Sequence, residues 1–155
     1  PQAAVLNLSE IKKLGPDPTR DNFTFSEFNQ ILNSRNGAIK KILLDQNMIS
    51  GIGNIYADEI LHLSKIHPLK QTRKLTVPEK QKIFRAAKKI LASAVKFGGT
   101  SMDDYRNVFG AKGNYEKHLR AYHRTGQKCY RCGAPIERIK IGGRSSHFCS
   151  QCQKP

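Results

Sequence analysis

Four cysteines near the end of the chain constrain its fold more than any other feature. Cys129 and Cys132 form one C-x2-C pair, Cys149 and Cys152 form a second, and sixteen residues separate the two pairs. Each pair offers two sulfurs from one tight turn, and two such pairs complete the tetrahedral ligand set of a structural zinc site. We therefore predict that these four thiolates bind one Zn2+.

The sequence between the two pairs predicts a β-hairpin. Strand-forming residues occur at Ile136, Ile139, Ile141 and Phe148, and Gly142-Gly143 lies where a turn would join two strands. A segment this short cannot bury enough apolar surface to fold alone, so zinc binding of about 10 to 16 kcal/mol would supply its folding free energy. The expected product is a zinc ribbon with a rigid tip.

An even number of cysteines is also compatible with two disulfide bonds in a secreted protein. Two observations favour zinc over that alternative. The chain as given does not begin with a hydrophobic signal segment, and four cysteines in 155 residues are sparse for a disulfide-based scaffold.

The charge of the chain indicates a polyanionic partner. Lys and Arg number 27 against 12 Asp and Glu, which gives a formal charge of +15. Nucleic acid is the leading candidate, and an anionic membrane surface or an acidic protein is the second. The sequence has no basic amphipathic helix with Trp and Phe on its apolar side, which weakens the membrane alternative, and no apolar run approaches the 18 residues of a membrane span.

Helical periodicity dominates the sequence before the cysteines. Thr24 and Thr76 each precede a glutamate by three residues, which is the pattern of a capping box at a helix start. We predict helices over residues 25–34, 39–46, 54–64, 76–98 and, more briefly, 114–122. The predicted fold is mainly α, a helical bundle with the zinc-bound hairpin appended.

The stretch from 35 to 59 is the second informative part of the chain. A helix, glycine-marked turns and another helix opening at Asn54 would direct backbone N–H groups and a positive dipole end at one point, which suits a phosphate. Asn54 could equally serve only as an N-cap of that helix. The sequence alone leaves both interpretations open.

Five blocks of sequence, in this order, resemble the formamidopyrimidine-DNA glycosylases, bacterial base-excision enzymes that remove oxidised purines. The blocks lie at residues 14–18, 40–59, 66–68, 98–101 and 142–149. The resemblance implies a helix-two-turn-helix motif and three segments. These are a linker over 1–22, a DNA-binding helical domain over 23–122, and a four-cysteine zinc finger over 123–155.

The resemblance also implies roles for individual residues. Asn54 and Lys40 match residues that bind DNA phosphates, and Arg35 falls at a basic position associated with DNA contacts. Arg144, in the hairpin turn, matches an arginine that contacts phosphates beside the extruded base and takes part in the final elimination step. An arginine there could grip phosphate oxygens with two parallel hydrogen bonds, although without the flanking match it would more simply be one of many solvated arginines.

Two further implications concern chemistry. Residues 103–115 correspond to the segment that closes over the flipped base. The family's nucleophile is an N-terminal proline followed by glutamate, whereas this chain begins Pro1-Gln2, and glutamine cannot ionise. We therefore treat Pro1 as a coincidence and expect this chain to be inactive alone, as the C-terminal half of a bifunctional glycosylase and AP lyase.

The expected partner is double-stranded DNA that contains damaged bases or abasic sites. We expect a monomer that does not bind membranes and that acts at the nucleoid in the bacterial cytoplasm. The alternative is a freestanding zinc-ribbon protein that binds DNA without catalysis.

The remaining ionisable residues are predicted to have structural or surface roles. Asp58 and Glu59 are neighbours on different faces of one helix, so we expect surface or packing groups. Four histidines lack the spacing of a metal site and are expected to be structural or solvent-facing: His67, His118, His123 and His147.

Overall fold

Four α-helices and one β-hairpin make up the part of the chain that the computed structural model describes, residues 13–98 and 114–155. The helices are α1 (Phe25–Ser34), α2 (Ile39–Leu44), α3 (Asn54–Ser64) and α4 (Val77–Lys96). The hairpin consists of β1 (Glu137–Ile141) and β2 (Arg144–Phe148), and short 3-10 turns cover Thr72–Lys74 and Tyr115–His118. The predicted mainly α fold with a zinc-ribbon hairpin is confirmed.

Side-chain caps explain two of the predicted helix starts, those of α1 and α4. The Thr24 hydroxyl accepts a hydrogen bond from the Glu27 N–H at 3.2 Å at the start of α1. At the start of α4 the bonds are reciprocal, since the Thr76 hydroxyl accepts from the Glu79 N–H and the Glu79 carboxylate accepts from the Thr76 N–H at 2.8 Å. Gly98, just beyond α4, has a φ of 73°, which glycine adopts without strain.

The predicted helix over 114–122 is wrong beyond its first turn. Leu119 leaves the helical conformation after the four-residue 3-10 turn. The next three backbone N–H groups, of residues 120–122, all donate to the Glu59 carboxylate at 2.8 Å. A buried carboxylate on α3 therefore takes the donors that a continuing helix would have used.

The main apolar core lies between α4 and the three shorter helices. Burying a leucine or isoleucine side chain contributes roughly 1.5 to 3 kcal/mol, so this core fixes α3 firmly in place. Its most completely buried members are Phe28, Leu32, Ile39, Leu43, Ile49, Ile52, Ile60, Leu61 and Ile83.

Part of the predicted linker is bound to the helical domain. The Gly15 N–H donates to the Gln46 oxygen at 2.8 Å, and the Ser50 N–H donates to the Pro16 oxygen at 3.0 Å. A Cβ on Gly15 would lie 2.4 Å from the main chain of Met48, so only glycine fits this approach. The segment entering the domain thus lies directly against the turn that precedes α3.

Two stretches of the chain, 1–12 and 99–113, lie outside the described residues. They contain Pro1 and most of the segment predicted to close over a flipped base. Among residues 13–98 and 114–155, no helix has both the length and the apolar character needed to cross a membrane.

The hairpin packs against α3 with the register that its turn dictates. Ile141 pairs with Arg144, and Arg138 pairs with His147. Gly142 and Gly143 have φ values of 56° and 79°, the left-handed conformation that a two-residue hairpin turn requires at both positions. The predicted turn is confirmed, and it places Arg144 at the hairpin tip.

Candidate nucleic-acid interface and metal centre

The four cysteine sulfurs form a single cluster. Their Sγ atoms all lie within 4.8 Å of one another. A tetrahedral site with Zn–S bonds of about 2.3 Å has sulfur–sulfur edges of about 3.8 Å, so the cluster matches the size of a zinc site. None of the four cysteines is bonded to another, and the Cys132 and Cys149 sulfurs are 3.4 Å apart, well beyond the length of a disulfide bond, so the arrangement favours a metal site over disulfides.

The electrostatics of the cluster favour a cation. Burial opposes ionisation of Cys129, but hydrogen bonds from the backbone N–H groups of Cys132 and Arg131 and from the side chains of Cys149 and Cys132 together outweigh it and lower the pKa of Cys129 to about 7. Burial and the neighbouring thiols of Cys132 and Cys149 raise the pKa of Cys152 to about 12. Four thiolates this close repel one another, and a bound divalent metal is what allows all of them to ionise together.

The zinc finger is attached to α3 and the residues that follow it. Gln153 donates from Nε2 to the Ile66 oxygen at 3.0 Å, while its Oε1 accepts from the Cys149 N–H at 2.8 Å. Arg131 donates to the His62 oxygen from the first cysteine turn. Burial, followed by the charge of Arg131, lowers the pKa of His62 to about 4, so this ring beside Cys129 stays neutral.

One groove brings together two predicted site residues that are distant in sequence. The groove has a volume of about 590 Å³, and Asn54 and Arg144 both line it. It is therefore formed jointly by the start of α3 and the hairpin of the zinc finger. Its other lining residues are Tyr122, His123, Thr125, Arg138, Ser145 and His147.

Asn54 contacts the hairpin instead of capping its own helix. Gly53 is the N-cap of α3, and no side chain caps this end. Asn54 is the first helical residue, and its Nδ2 donates to the Ser145 main-chain oxygen at 3.0 Å. Its Oδ1 is buried without a partner among the described residues. The interpretation of Asn54 as only an N-cap is therefore wrong.

Arg144 is exposed at the mouth of the groove, next to the two turn glycines. Its position follows from the hairpin register, which ends with the Ile141–Arg144 pair. A guanidinium there has room for the two parallel hydrogen bonds that it forms with phosphate oxygens. Arg138 lines the same groove and was not identified from the sequence, because nothing local distinguishes it from the other basic residues.

Lys40 is buried, whereas the resemblance implied a lysine that contacts DNA phosphates. Its side chain is completely buried, and its ammonium contacts Asp58 Oδ1 at 2.5 Å and the Ser145 oxygen at 3.0 Å. Burial lowers the pKa of Lys40, and the Asp58 carboxylate opposes that shift. The Lys40 ammonium thus lies between Asp58 of α3 and Ser145 of β2, and its contact with a DNA phosphate stays a prediction.

Arg35 lies apart from the groove. Its side chain is 60% exposed, and its guanidinium is 3.8 Å from Asp45, which is itself partly exposed. A solvated pair at this distance contributes little to stability, so the side chain can turn to other anions. Arg35 does not line the groove that contains Asn54.

Asp58 and Glu59 are not surface groups. Both are 1% exposed. Asp58 binds Lys40 and β2, and Glu59 accepts from the three backbone N–H groups of residues 120–122. Burial raises the pKa of Glu59, and those N–H groups oppose the shift. Of the two roles expected for these carboxylates, surface or packing, the structure shows packing.

The histidines agree with the structural or solvent-facing roles expected of them. His67 and His147 are buried, and His67 packs edge-on against the Phe148 ring at 4.8 Å. His118 and His123 are exposed, and each stacks on a neighbouring ring. His123 has a φ of 57°, and its ring lies nearly parallel to that of Tyr122 at one wall of the groove.

Two protein-family models match most of the chain. The model described as the formamidopyrimidine-DNA glycosylase H2TH domain matches residues 14–106. The model described as a zinc finger found in FPG and IleRS matches residues 126–155, which include all four cysteines. With the sulfur geometry, this second match identifies the cluster as the site of one Zn2+, as predicted.

Named relatives agree with these matches. The chain is 46% identical to a formamidopyrimidine-DNA glycosylase of Herpetosiphon aurantiacus over 92% of this chain and 52% of that protein. It is 45% identical to the Listeria innocua enzyme of that name over 93% of this chain and 53% of that protein. The chain thus spans about half the length of the curated relatives it matches.

Solved structures of similar proteins share the fold. MutM (Fpg) from Thermus thermophilus superimposes with a TM-score of 0.86 at 39% identity, covering 92% of this chain and 54% of that one. Lactococcus lactis Fpg in complex with DNA containing an abasic site gives a TM-score of 0.85 at 41% identity, covering 94% and 53%. A third structure, of Lactococcus lactis Fpg with Fapy-dG-containing DNA, gives 0.84 at 41% identity, with 94% and 52% covered.

Proposed function

The chain belongs to the formamidopyrimidine-DNA glycosylase family, and on that premise we propose that it is the DNA-binding part of a base-excision-repair glycosylase and AP lyase. The observation that carries this proposal is the shared groove of Asn54 and Arg144. It combines a helix N-terminus, a side-chain amide and an exposed guanidinium in a chain with a charge of +15.

In this proposal the groove binds the sugar-phosphate backbone and leaves the base to the rest of the enzyme. Arg144 supplies a charged, two-pronged donor, and Asn54 supplies an amide donor at the positive end of α3. Arg144 could also stabilise charge on the phosphate during elimination. Arg35 remains a candidate for a more distant phosphate, whereas Lys40 acts from beneath the groove.

The proposed substrate is duplex DNA with an oxidised purine or an abasic site. Relatives of this chain have been solved with DNA containing an abasic site and with DNA containing Fapy-dG. We assign DNA binding to residues 23–122 together with the zinc finger over 123–155, with residues 1–22 leading in. A monomer bound at the nucleoid in a bacterial cytoplasm follows from the same proposal.

A salt titration tests the proposal. The dissociation constant of this chain for a fluorescent duplex is measured at several salt concentrations, with and without a central abasic-site analogue. If about three phosphates are neutralised, the logarithm of the binding constant should fall against the logarithm of salt concentration with a slope near −3. Affinity that does not change with salt would contradict a phosphate-binding groove.

A further inference from the structure

The Asp58 carboxylate is the centre of a buried polar cluster between α2, α3 and β2. Its side chain is 0% exposed. Oδ1 accepts from the Lys40 ammonium at 2.5 Å and from the Ser146 hydroxyl at 3.2 Å. Oδ2 lies 2.9 Å from both the main-chain N and the Nδ1 of His147. One side chain of α3 therefore holds a residue of α2 and two consecutive residues of β2.

Lys40 links the cluster to the groove through the main-chain oxygen of Ser145. The Ser145 oxygen accepts from Lys40 Nζ and from Asn54 Nδ2, each at 3.0 Å. Lys40 is thus a bridge between the Asp58 carboxylate and the acceptor that holds Asn54. Ser145 directly follows Arg144, so the carbonyl that orients Asn54 belongs to the residue next to Arg144 on β2.

Asp58 also holds one wall of the groove. An ionised carboxylate can only accept, so His147 Nδ1 is the donor in their contact, and this fixes the orientation of the ring. His147 lines the groove beside Ser145. Asp58 consequently holds two of the lining residues, His147 directly and Ser145 through Lys40.

We propose that Asp58 is a positioning residue, which sets the placement of Arg144 relative to Asn54 by fixing β2 and the Lys40 ammonium beneath the Ser145 carbonyl. The inference rests on the proposed DNA-binding function and assigns Asp58 no contact with DNA. Without this carboxylate the buried ammonium has no counter-charge, and Arg144 is near enough to disfavour its charge further. The hairpin must then shift to let water reach Lys40, and Arg144 moves with it.

The test compares Asp58→Asn with Glu79→Gln, a matched control that removes a carboxylate paired with a lysine outside the groove. Zinc content, melting temperature and duplex-DNA affinity are measured on this chain at several salt concentrations. For zinc-loaded, folded Asp58→Asn we expect affinity at least tenfold weaker and a salt slope shallower by about 1, because Arg144 no longer reaches its phosphate. Glu79→Gln should keep both values.

A double variant distinguishes an effect on the position of Arg144 from a general loss of stability. It also replaces Asp58→Asn in the test if that single variant does not fold. Lys40→Met combined with Asp58→Asn removes both buried charges, so the melting temperature should recover towards that of the unsubstituted chain. Affinity should remain at least tenfold weaker, since the Ser145 carbonyl has lost the donor beneath it. Affinity that recovers with stability, or a folded Asp58→Asn chain with unchanged affinity and slope, would overturn the proposal.

The same titration separates this inference from the function on which it rests. If the unsubstituted chain binds with a steep salt dependence and Asp58→Asn binds equally well, only the positioning role fails. If the unsubstituted chain does not bind duplex DNA, the DNA-binding function fails, and the positioning role fails with it.

Discussion

The Asn54 side-chain amide donates to the main-chain oxygen of Ser145 at 3.0 Å, although 91 positions separate the two residues in sequence. This bond joins the first turn of α3 to the hairpin of the zinc finger. It therefore links the helical domain and the zinc finger at the groove itself, where both must be in place for a phosphate to bind.

Replacing Arg144 by alanine should weaken duplex binding by a similar factor on all DNA sequences. A phosphate contact carries no base information, and its loss should make the salt slope shallower by about 1. Fluorescence anisotropy at several salt concentrations measures both effects. Arg144→Lys should restore charge but only part of the affinity, because an ammonium cannot form the two-pronged bond.

Arg85→Ala is the matched control for Arg144→Ala. Arg85 is exposed on α4 and does not line the groove, so the variant loses the same charge from a different surface. If both variants lower the DNA affinity equally, then general electrostatic attraction between the basic chain and DNA, and not the groove, would account for binding.

Asn54→Asp should affect both stability and binding. The change replaces the amide donor by a carboxylate that faces the Ser145 oxygen and any bound phosphate. Loss of the bond should lower the free energy of unfolding by about 0.5 to 1.5 kcal/mol, the net value of one hydrogen bond, because Lys40 still donates to the Ser145 oxygen. Urea unfolding and DNA titration measure the two effects. The same substitution at exposed Asn36 controls for the added charge, and equal losses there would argue against the groove.

Removal of zinc by a chelator should unfold the hairpin and leave the helices. The core of α1 to α4 contains no cysteine, whereas the small cluster in the zinc finger is built around Cys129, Ile136 and Cys149. Circular dichroism should retain most of the helical signal, while DNA affinity falls because Arg144 loses its support. Added Zn2+ should restore affinity. Complete loss of helical signal would show that the helical domain also depends on the metal.

Glu79→Gln should destabilise the chain in a pH-dependent way. Burial alone would raise the pKa of Glu79, but hydrogen bonds from Lys70 at 2.6 Å and from the Thr76 N–H at 2.8 Å outweigh it and hold the pKa below its usual value. A carboxyl with a depressed pKa stabilises the fold above its unfolded value of 4.5, and this contribution is lost as the pH falls through the folded pKa.

We therefore expect Glu79→Gln to lower the free energy of unfolding by about 0.5 kcal/mol at pH 7, because glutamine can keep the capping-box bond but loses the charge that Lys70 and the N-terminus of α4 favour. The difference between the two proteins should shrink below pH 4.5. Urea unfolding of both at each pH isolates Glu79, because titration of the thiols is common to both. A difference that grows towards low pH would contradict the assignment.

Most of the fold could be predicted because its signals are local. The capping threonines at 24 and 76 and the cysteine spacing specify their elements within a few residues of sequence. The environments of Lys40 and Asp58 could not be predicted, since their partners in β2 are 105 and 88 or 89 positions away. Nothing near Lys40 in sequence distinguishes a buried lysine from an exposed one. The early end of the helix predicted over 114–122 could not be foreseen for the same reason, because Glu59, which accepts its N–H groups, is 61 to 63 positions away in sequence.

The contact of Gly15 with Met48 gives the domain a mechanical property. The main chains touch so closely at this point that a side chain on residue 15 would collide with the Met48 carbonyl. Two hydrogen bonds, to Gln46 and from Ser50, fasten the incoming segment to the same turn. Tension applied to the chain ahead of residue 15 would consequently be transmitted to the turn that leads into Asn54.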